Sequence, residues 1–157
     1  SYTAFTMGGT RFVLLDCGED KPDGTEVYYG MNDFTQYRKD QAQFLQTELA
    51  GPEFTAAARK VLIHHIPIYG NAVAKFNPCK ELWQPHLAAA GFDVSLNGHL
   101  HRYELIEKGA SENNFPVVIG GGYKEENATV MILKKTGERL NLRVVHAKGN
   151  TLLDRDL

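Results

Sequence analysis

Three short apolar segments, separated by stretches with helical spacing, constrain the fold of this chain more than any other feature. Residues 11–16, 60–64 and 93–97 each read as a strand, and the first two carry apolar residues on both faces. Strands of that kind are typical of the covered centre of a sheet. Helical periodicity occupies both gaps, over residues 35–49 and again after Asn77. This alternation predicts an α/β fold in which helices flank a layered sheet.

Turn-forming residues set the predicted ends of the helices. Gly51-Pro52 ends the first helix, and a short helical stretch is expected over residues 54–59. Asn77 is a suitable N-cap for the helix that follows it. Pro85 should kink or restart that helix, which closes at Gly91.

The rest of the chain is predicted to be β-structure. Its apolar segments are residues 103–107, 117–119, 129–134 and 140–146. Thr136-Gly137 is the predicted hairpin turn between the last two. No linker, repeat or low-complexity tract interrupts the sequence, so residues 1–157 are expected to form a single unit.

Charge and hydropathy exclude several functional classes. Seventeen Lys and Arg stand against nineteen Asp and Glu, which gives a net charge of −2. Such a balance offers no electrostatic footprint for nucleic acid or an anionic membrane. The apolar runs are also too short to span a bilayer.

The cysteines and the first residues bear on the cellular setting. Sequence alone leaves the pairing of Cys17 and Cys79 open, and two buried thiols are the better expectation. Residues 1–7 have neither the basic nor the apolar region of a signal peptide. We therefore expect that a leader has been removed or that the chain is a piece of a longer protein.

Four of the six histidines follow two of the predicted strands. His64 and His65 end the second strand, and His99 and His101 follow the third across Gly98. Ligands in α/β sheets bind beyond the carboxyl ends of the strands, and imidazole is the commonest nitrogen ligand of metals. The pattern predicts one shared metal site, and surface loop histidines are the alternative that the residues leave open.

These residues resemble motifs of the calcineurin-like metallophosphoesterases. The block 98–101 is similar to the family's Gly-His-x-His motif, and residues 102–104 are similar to its purple acid phosphatase branch. Residues 61–69 resemble the family's apolar strand that ends in His-x-Pro-x-Tyr. The resemblance covers most of residues 3–122. It implies the C-terminal half of a metallophosphoesterase β-sandwich.

The family's first three metal-binding blocks have no counterpart in this sequence. It contains no Gly-Asn-His, and no Gly-Asp precedes His65. Asp16 is therefore interpreted as the polar end of a later strand rather than as the first block. By resemblance, the N-terminal half of the domain is absent from this chain.

The resemblance also implies a set of ligands and cofactors. His65 and His99 would hold one metal ion and His101 the other. His64 would face away, because neighbouring residues of a strand point to opposite sides. The implied cofactors are two divalent or trivalent ions (iron, zinc or manganese) in the complete domain, and this chain alone could hold none. Tyr69 would either line the substrate pocket or serve only in packing.

The implied activity is metal-dependent hydrolysis of a phosphoester substrate, either a monoester or a diester. This chain alone is expected to be inactive, because imidazoles carry no negative charge to hold two dications. A non-catalytic binding or assembly module is one alternative. A mononuclear zinc hydrolase built from His65, His99 and His101 is another. The purple acid phosphatase branch mildly favours export, to the periplasm or outside the cell.

The central strands raise a question of assembly. Their two alternating sets of apolar residues need cover on both faces of the sheet, and helices can cover only one of them. If residues 129–146 do not fold over the other face, we expect self-association through that face or a free strand edge.

Overall fold

The structure, a computed structural model, describes residues 1–70 and 75–157. The strands in that part of the chain are β1 (Thr3–Met7), β2 (Thr10–Leu14), β3 (Arg59–Ile63), β4 (Val94–Asn97), β5 (Glu104–Ile106), β6 (Val117–Ile119), β7 (Thr129–Thr136), β8 (Arg139–His146) and β9 (Thr151–Asp156). The α-helices are α1 (Thr35–Ala50), α2 (Pro52–Ala56) and α3 (Pro78–Leu87), and Glu26–Tyr28 form a 3-10 helix.

The first six strands form one sheet in the order β1-β2-β3-β4-β6-β5. Its central strands β2, β3, β4 and β6 are parallel, and the two edge strands run antiparallel to their neighbours. Parallel central strands place the carboxyl ends of β2, β3 and β4 at one edge of the sheet. The predicted α/β class with flanking helices is confirmed.

Helices cover one face of this sheet. Val13 and Leu62 pack there with Leu45 of α1 and with Trp83 and Leu87 of α3, and all five side chains are fully buried. The alternation that directs these strand residues to the helices also directs their neighbours to the opposite face.

A second, antiparallel sheet in the order β7-β8-β9 covers that opposite face. Phe12, Val61 and Val94 pack there with Leu140 and Leu142 of β8. The late strands therefore fold over the central sheet. The condition on which self-association was predicted, an uncovered face, is not met at these positions.

Three local predictions have clear outcomes. Asn77 caps α3 as expected, because its side chain accepts the backbone N–H of Lys80 at 3.2 Å. Pro85 was predicted to kink or restart α3, and it does not restart it, since α3 continues through it and Ala88 still donates to the Gln84 carbonyl at 2.9 Å. No helix in residues 1–70 or 75–157 is long and apolar enough to cross a membrane.

Candidate functional site

Two strand ends bring His65 and His99 together. His65 follows β3 and His99 follows β4, and their ring centroids lie 5.4 Å apart in an edge-to-face arrangement. The backbone between them is tied by the Gly98 N–H, which donates to the His65 carbonyl at 2.9 Å. The parallel register of β3 and β4 thus sets the spacing of the two imidazoles.

Gly98 leaves the room that the His65 ring occupies. A Cβ at this position would lie 3.1 Å from Nδ1 of His65, which is tighter than ordinary van der Waals contact. Any larger residue must therefore displace the ring.

The turn after Gly98 has an unusual backbone. His99 has a φ of 70° and His101 a φ of 54°, both in the left-handed region. That region costs a residue with a side chain about 1 kcal/mol or more. Such strain tends to persist where surrounding contacts require it, and functional sites are common among those places.

His101 does not pack against the other two rings. Its own ring lies edge-to-face on Tyr123 with centroids 5.4 Å apart, and its carbonyl accepts the Asn127 side-chain amide at 2.7 Å. His101 is nevertheless close enough to influence His65 electrostatically. Partial burial lowers the pKa of His65, and charge on His99 and then on His101 lowers it further.

His64 points away from the pair, toward the helices. Its ring is 2% exposed and meets Trp83 of α3 edge-to-face, with centroids 6.0 Å apart. Burial lowers the pKa of His64 to about 4, so the ring is neutral at ordinary pH. Adjacent histidines therefore occupy opposite sides of β3.

The loop after β2 adds a carboxylate that the sequence analysis missed. Oδ2 of Asp20 lies 3.4 Å from Nε2 of His99. The Lys21 ammonium, which donates to Asp20 at 2.8 Å, holds the pKa of this carboxyl below its ordinary value, and charge on His99 contributes. The available signal was position: Asp20 follows a central strand whose end lies at the same edge as β3 and β4.

Asp16, which lies two residues beyond the end of β2, is engaged elsewhere. Its carboxylate accepts the Tyr37 hydroxyl of α1 at 3.0 Å and the Gly18 N–H at 3.1 Å. Both cysteines, Cys17 and Cys79, are free thiols and buried.

Tyr69 lies in the core rather than at the surface. It is 2% exposed, and its ring packs edge-to-face on Phe115 with centroids 6.0 Å apart. Burial raises the pKa of its hydroxyl to about 12, and the hydroxyl has no hydrogen-bond partner among the described residues. A substrate contact by Tyr69 stays a prediction.

A cavity of about 360 Å³ lies beside His65 on the side of the second sheet. Ile63, Leu96 and Met131 contribute its apolar wall, and His65 borders it. The space thus lies between Met131 of β7 and the ends of β3 and β4.

The donor set fits only part of a metal centre. Within residues 1–70 and 75–157, no group of three or more His, Cys, Asp or Glu side chains is arranged to hold a metal ion. His65 and His99 are two neighbouring imidazoles, which could serve as nitrogen ligands of one ion. They do not fit a pair of ions, because a dinuclear centre needs carboxylates that bridge and neutralise it.

Comparison with known proteins places this geometry in context. No family model matches the chain. Purple acid phosphatase 15 of Arabidopsis thaliana is 26% identical over 137 residues, which cover 82% of this chain and 23% of that protein. This chain is similar to a purple acid phosphatase.

Solved structures show the same fold. Purple acid phosphatase PPD1 from yellow lupin (Lupinus luteus) seeds matches 99% of this chain with 32% of its own, at a TM-score of 0.61 and 14% identity. GAP50, the anchor in the inner membrane complex of Plasmodium, matches 100% of this chain with 53% of its own, at a TM-score of 0.53 and 15% identity. The chain thus spans between about a quarter and a half of the length of these three proteins.

Proposed function

We propose that this chain is the C-terminal half of a metallophosphoesterase domain and that the complete protein hydrolyses phosphomonoesters or phosphodiesters. One observation carries the proposal: His65 and His99 meet at the carboxyl ends of adjacent parallel strands. The sequence similarity to purple acid phosphatase 15 and the fold shared with the lupin enzyme support it.

Each histidine has a proposed role. His65 and His99 supply nitrogen ligands to one ion, and His101 supplies one to a second ion after its ring leaves Tyr123. Bound metal ions of this kind lower the pKa of water and bind phosphoryl oxygens. The lowered pKa of His65 favours the unprotonated ring, which is the form that ligates metal. The bridging carboxylates come from the N-terminal half.

The test compares the complete protein with single-site variants. His65→Ala and His99→Ala should each lose metal, measured by elemental analysis, and lose hydrolysis of p-nitrophenyl phosphate and of its diester. His86→Ala is the matched control, because His86 lies on α3, away from the strand ends. Wild-type metal content and turnover in both site variants would refute the proposal.

A binding or assembly module is the second candidate. GAP50, the anchor in the inner membrane complex of Plasmodium, shares the fold over the whole of this chain. A complete protein that binds no metal and hydrolyses neither substrate would favour this candidate. The mononuclear alternative makes a different prediction, that residues 1–157 alone hydrolyse the substrates with zinc and lose that activity in His101→Ala.

A further inference from the structure

Three buried polar side chains lie directly beneath the histidine pair. His64, Ser95 and Asn97 are 2%, 0% and 6% exposed. A polar group this deep in a protein costs free energy unless it finds a hydrogen-bond partner. These three groups are largely partners of one another.

The hydrogen bonds join the two strand ends. Asn97 donates its side-chain amide to the His64 carbonyl at 2.8 Å, and Ser95 Oγ lies 2.9 Å from Asn97 Oδ1 and 3.3 Å from His64 Nε2. His64 Nδ1 lies 2.8 Å from the Ile66 carbonyl. A carbonyl can only accept, so Nδ1 carries the ring proton and donates it there. The Asn97 side-chain nitrogen also lies 3.0 Å from Nδ1. It is a donor as well, so its hydrogen bond goes to the His64 carbonyl rather than to the ring.

This network continues to join the two chain segments beyond the last paired residues of β3 and β4. The register of β3 and β4 ends at the pair Ile63–Leu96. Beyond it, the His64 N–H donates to the Leu96 carbonyl at 3.2 Å, and the Gly98 N–H donates to the His65 carbonyl at 2.9 Å. The Asn97 side chain occupies the interval between these two backbone bonds.

The residues of this network are next to the site residues in the sequence. His64 precedes His65, and Asn97 precedes the Gly98-His99 turn. Since adjacent residues of an extended chain face opposite sides, a fixed His64 ring also fixes the direction in which His65 leaves the backbone. Asn97 in the same way holds the backbone from which the turn begins.

We propose that His64 and Asn97 are positioning residues whose buried hydrogen bonds hold the His65 and His99 rings as a pair. This inference rests on the proposed function for its consequence, which is tighter metal binding. The positioning itself is a property of the metal-free chain and can be measured separately.

The first measurement is the nuclear Overhauser effect between ring protons of His65 and His99 in residues 1–157 without metal. The wild type should show it, because the ring centroids are 5.4 Å apart. His64→Phe keeps a ring but has no hydrogen bonds, and the effect should be lost. His64→Asn retains an amide that can donate to the Ile66 carbonyl, and should restore it.

Leu87→Ala is the control for a general loss of packing. Leu87 is 0% exposed on α3, so its truncation destabilises the chain on the helical side. The ring contact should survive in this variant. A contact that survives in His64→Phe, or that is lost equally in Leu87→Ala, overturns the proposal.

Asn97→Leu provides a second route if His64→Phe does not fold, and it should also lose the ring contact. Failure of both variants to fold, with Leu87→Ala folded, would show that the network serves stability and would overturn the proposal.

The second measurement is calorimetric titration with Zn²⁺ alone. His64→Phe should bind roughly ten- to a hundredfold more weakly than wild type, which is the usual effect of removing groups that orient a ligand. If neither the wild type nor His64→Phe binds Zn²⁺, and the complete protein does not bind it either, the proposed function fails. The ring contact then still decides whether His64 and Asn97 position the pair.

Discussion

The Asp20 carboxylate lies 3.4 Å from Nε2 of His99, so the loop after β2 reaches the histidine pair. Both side chains are 27% exposed, so the contact is partly shielded from water. The pKa of Asp20 lies below its ordinary value, mainly because of Lys21, so the carboxylate beside Nε2 is negatively charged at ordinary pH. Asp20 therefore favours the tautomer of His99 with its proton on Nε2.

Removal of that carboxylate should release the tautomer. In the wild type, long-range proton–nitrogen NMR spectra at mildly alkaline pH should show His99 protonated on Nε2. In Asp20→Ala, the same spectra should show a mixture of both tautomers. Asp33→Ala is the control, because Asp33 is an exposed residue of the same loop. A single Nε2–H tautomer in Asp20→Ala would contradict the assignment.

Gly98→Ala should separate the two rings. The added Cβ would lie 3.1 Å from Nδ1 of His65, so the ring must turn away from His99. We expect loss of the ring-to-ring Overhauser effect, with a cost in unfolding free energy of about 1 kcal/mol. Gly24→Ala is the control, since nothing lies within 4 Å of a Cβ there. An intact ring contact in Gly98→Ala would contradict this prediction and show that the turn accommodates the added methyl group without moving the His65 ring.

Periodicity and turn residues predicted the central strands, the helices and the histidine-bearing strand ends. They did so because buried strands and amphipathic helices leave their pattern in the sequence. β9 was not predicted. Its burial alternates poorly, and it lies at the edge of the small sheet, where only one neighbour constrains it.

The rest of the site depends on how loops fold back, which periodicity does not encode. The contact of Asp20 with His99 joins segments far apart in sequence, and no local pattern specifies it. The placement of His101 is a similar case. The His-x-His spacing suggested that the rings of His99 and His101 would lie together. The left-handed backbone of His101 and its contact with Tyr123 direct its ring elsewhere.

Stability should fall as the pH falls through the His64 transition. Burial lowers the pKa of His64 from 6.5 to about 4. At a pH between these two values, His64 is therefore protonated in the unfolded chain and neutral in the folded chain. Stability is then fully present above the unfolded pKa and declines toward the folded one, by at most about 3 kcal/mol.

Urea unfolding at a series of pH values measures this slope. His64→Asn has no group that titrates there, so its unfolding free energy should depend less on pH in this window than that of the wild type. His86→Ala should keep the wild-type slope. An equal slope in wild type and His64→Asn would place the transition on other groups.

Tyr69→Phe should leave stability unchanged or raise it by about 1 kcal/mol. The Tyr69 hydroxyl is buried without a hydrogen-bond partner among the described residues. Tyr69→Phe therefore removes a buried polar group whose desolvation no hydrogen bond offsets. Tyr37→Phe is the matched comparison, because its hydroxyl donates to Asp16 at 3.0 Å and its loss should destabilise by about 1 kcal/mol. Urea unfolding compares the two, and a Tyr69→Phe variant destabilised as much as Tyr37→Phe would reveal a bonded hydroxyl.

The Tyr69→Phe substitution in the complete protein tests the predicted substrate contact. A hydroxyl that binds phosphoester should lower kcat/KM when it is removed, whereas a packing ring should leave kcat/KM as it was.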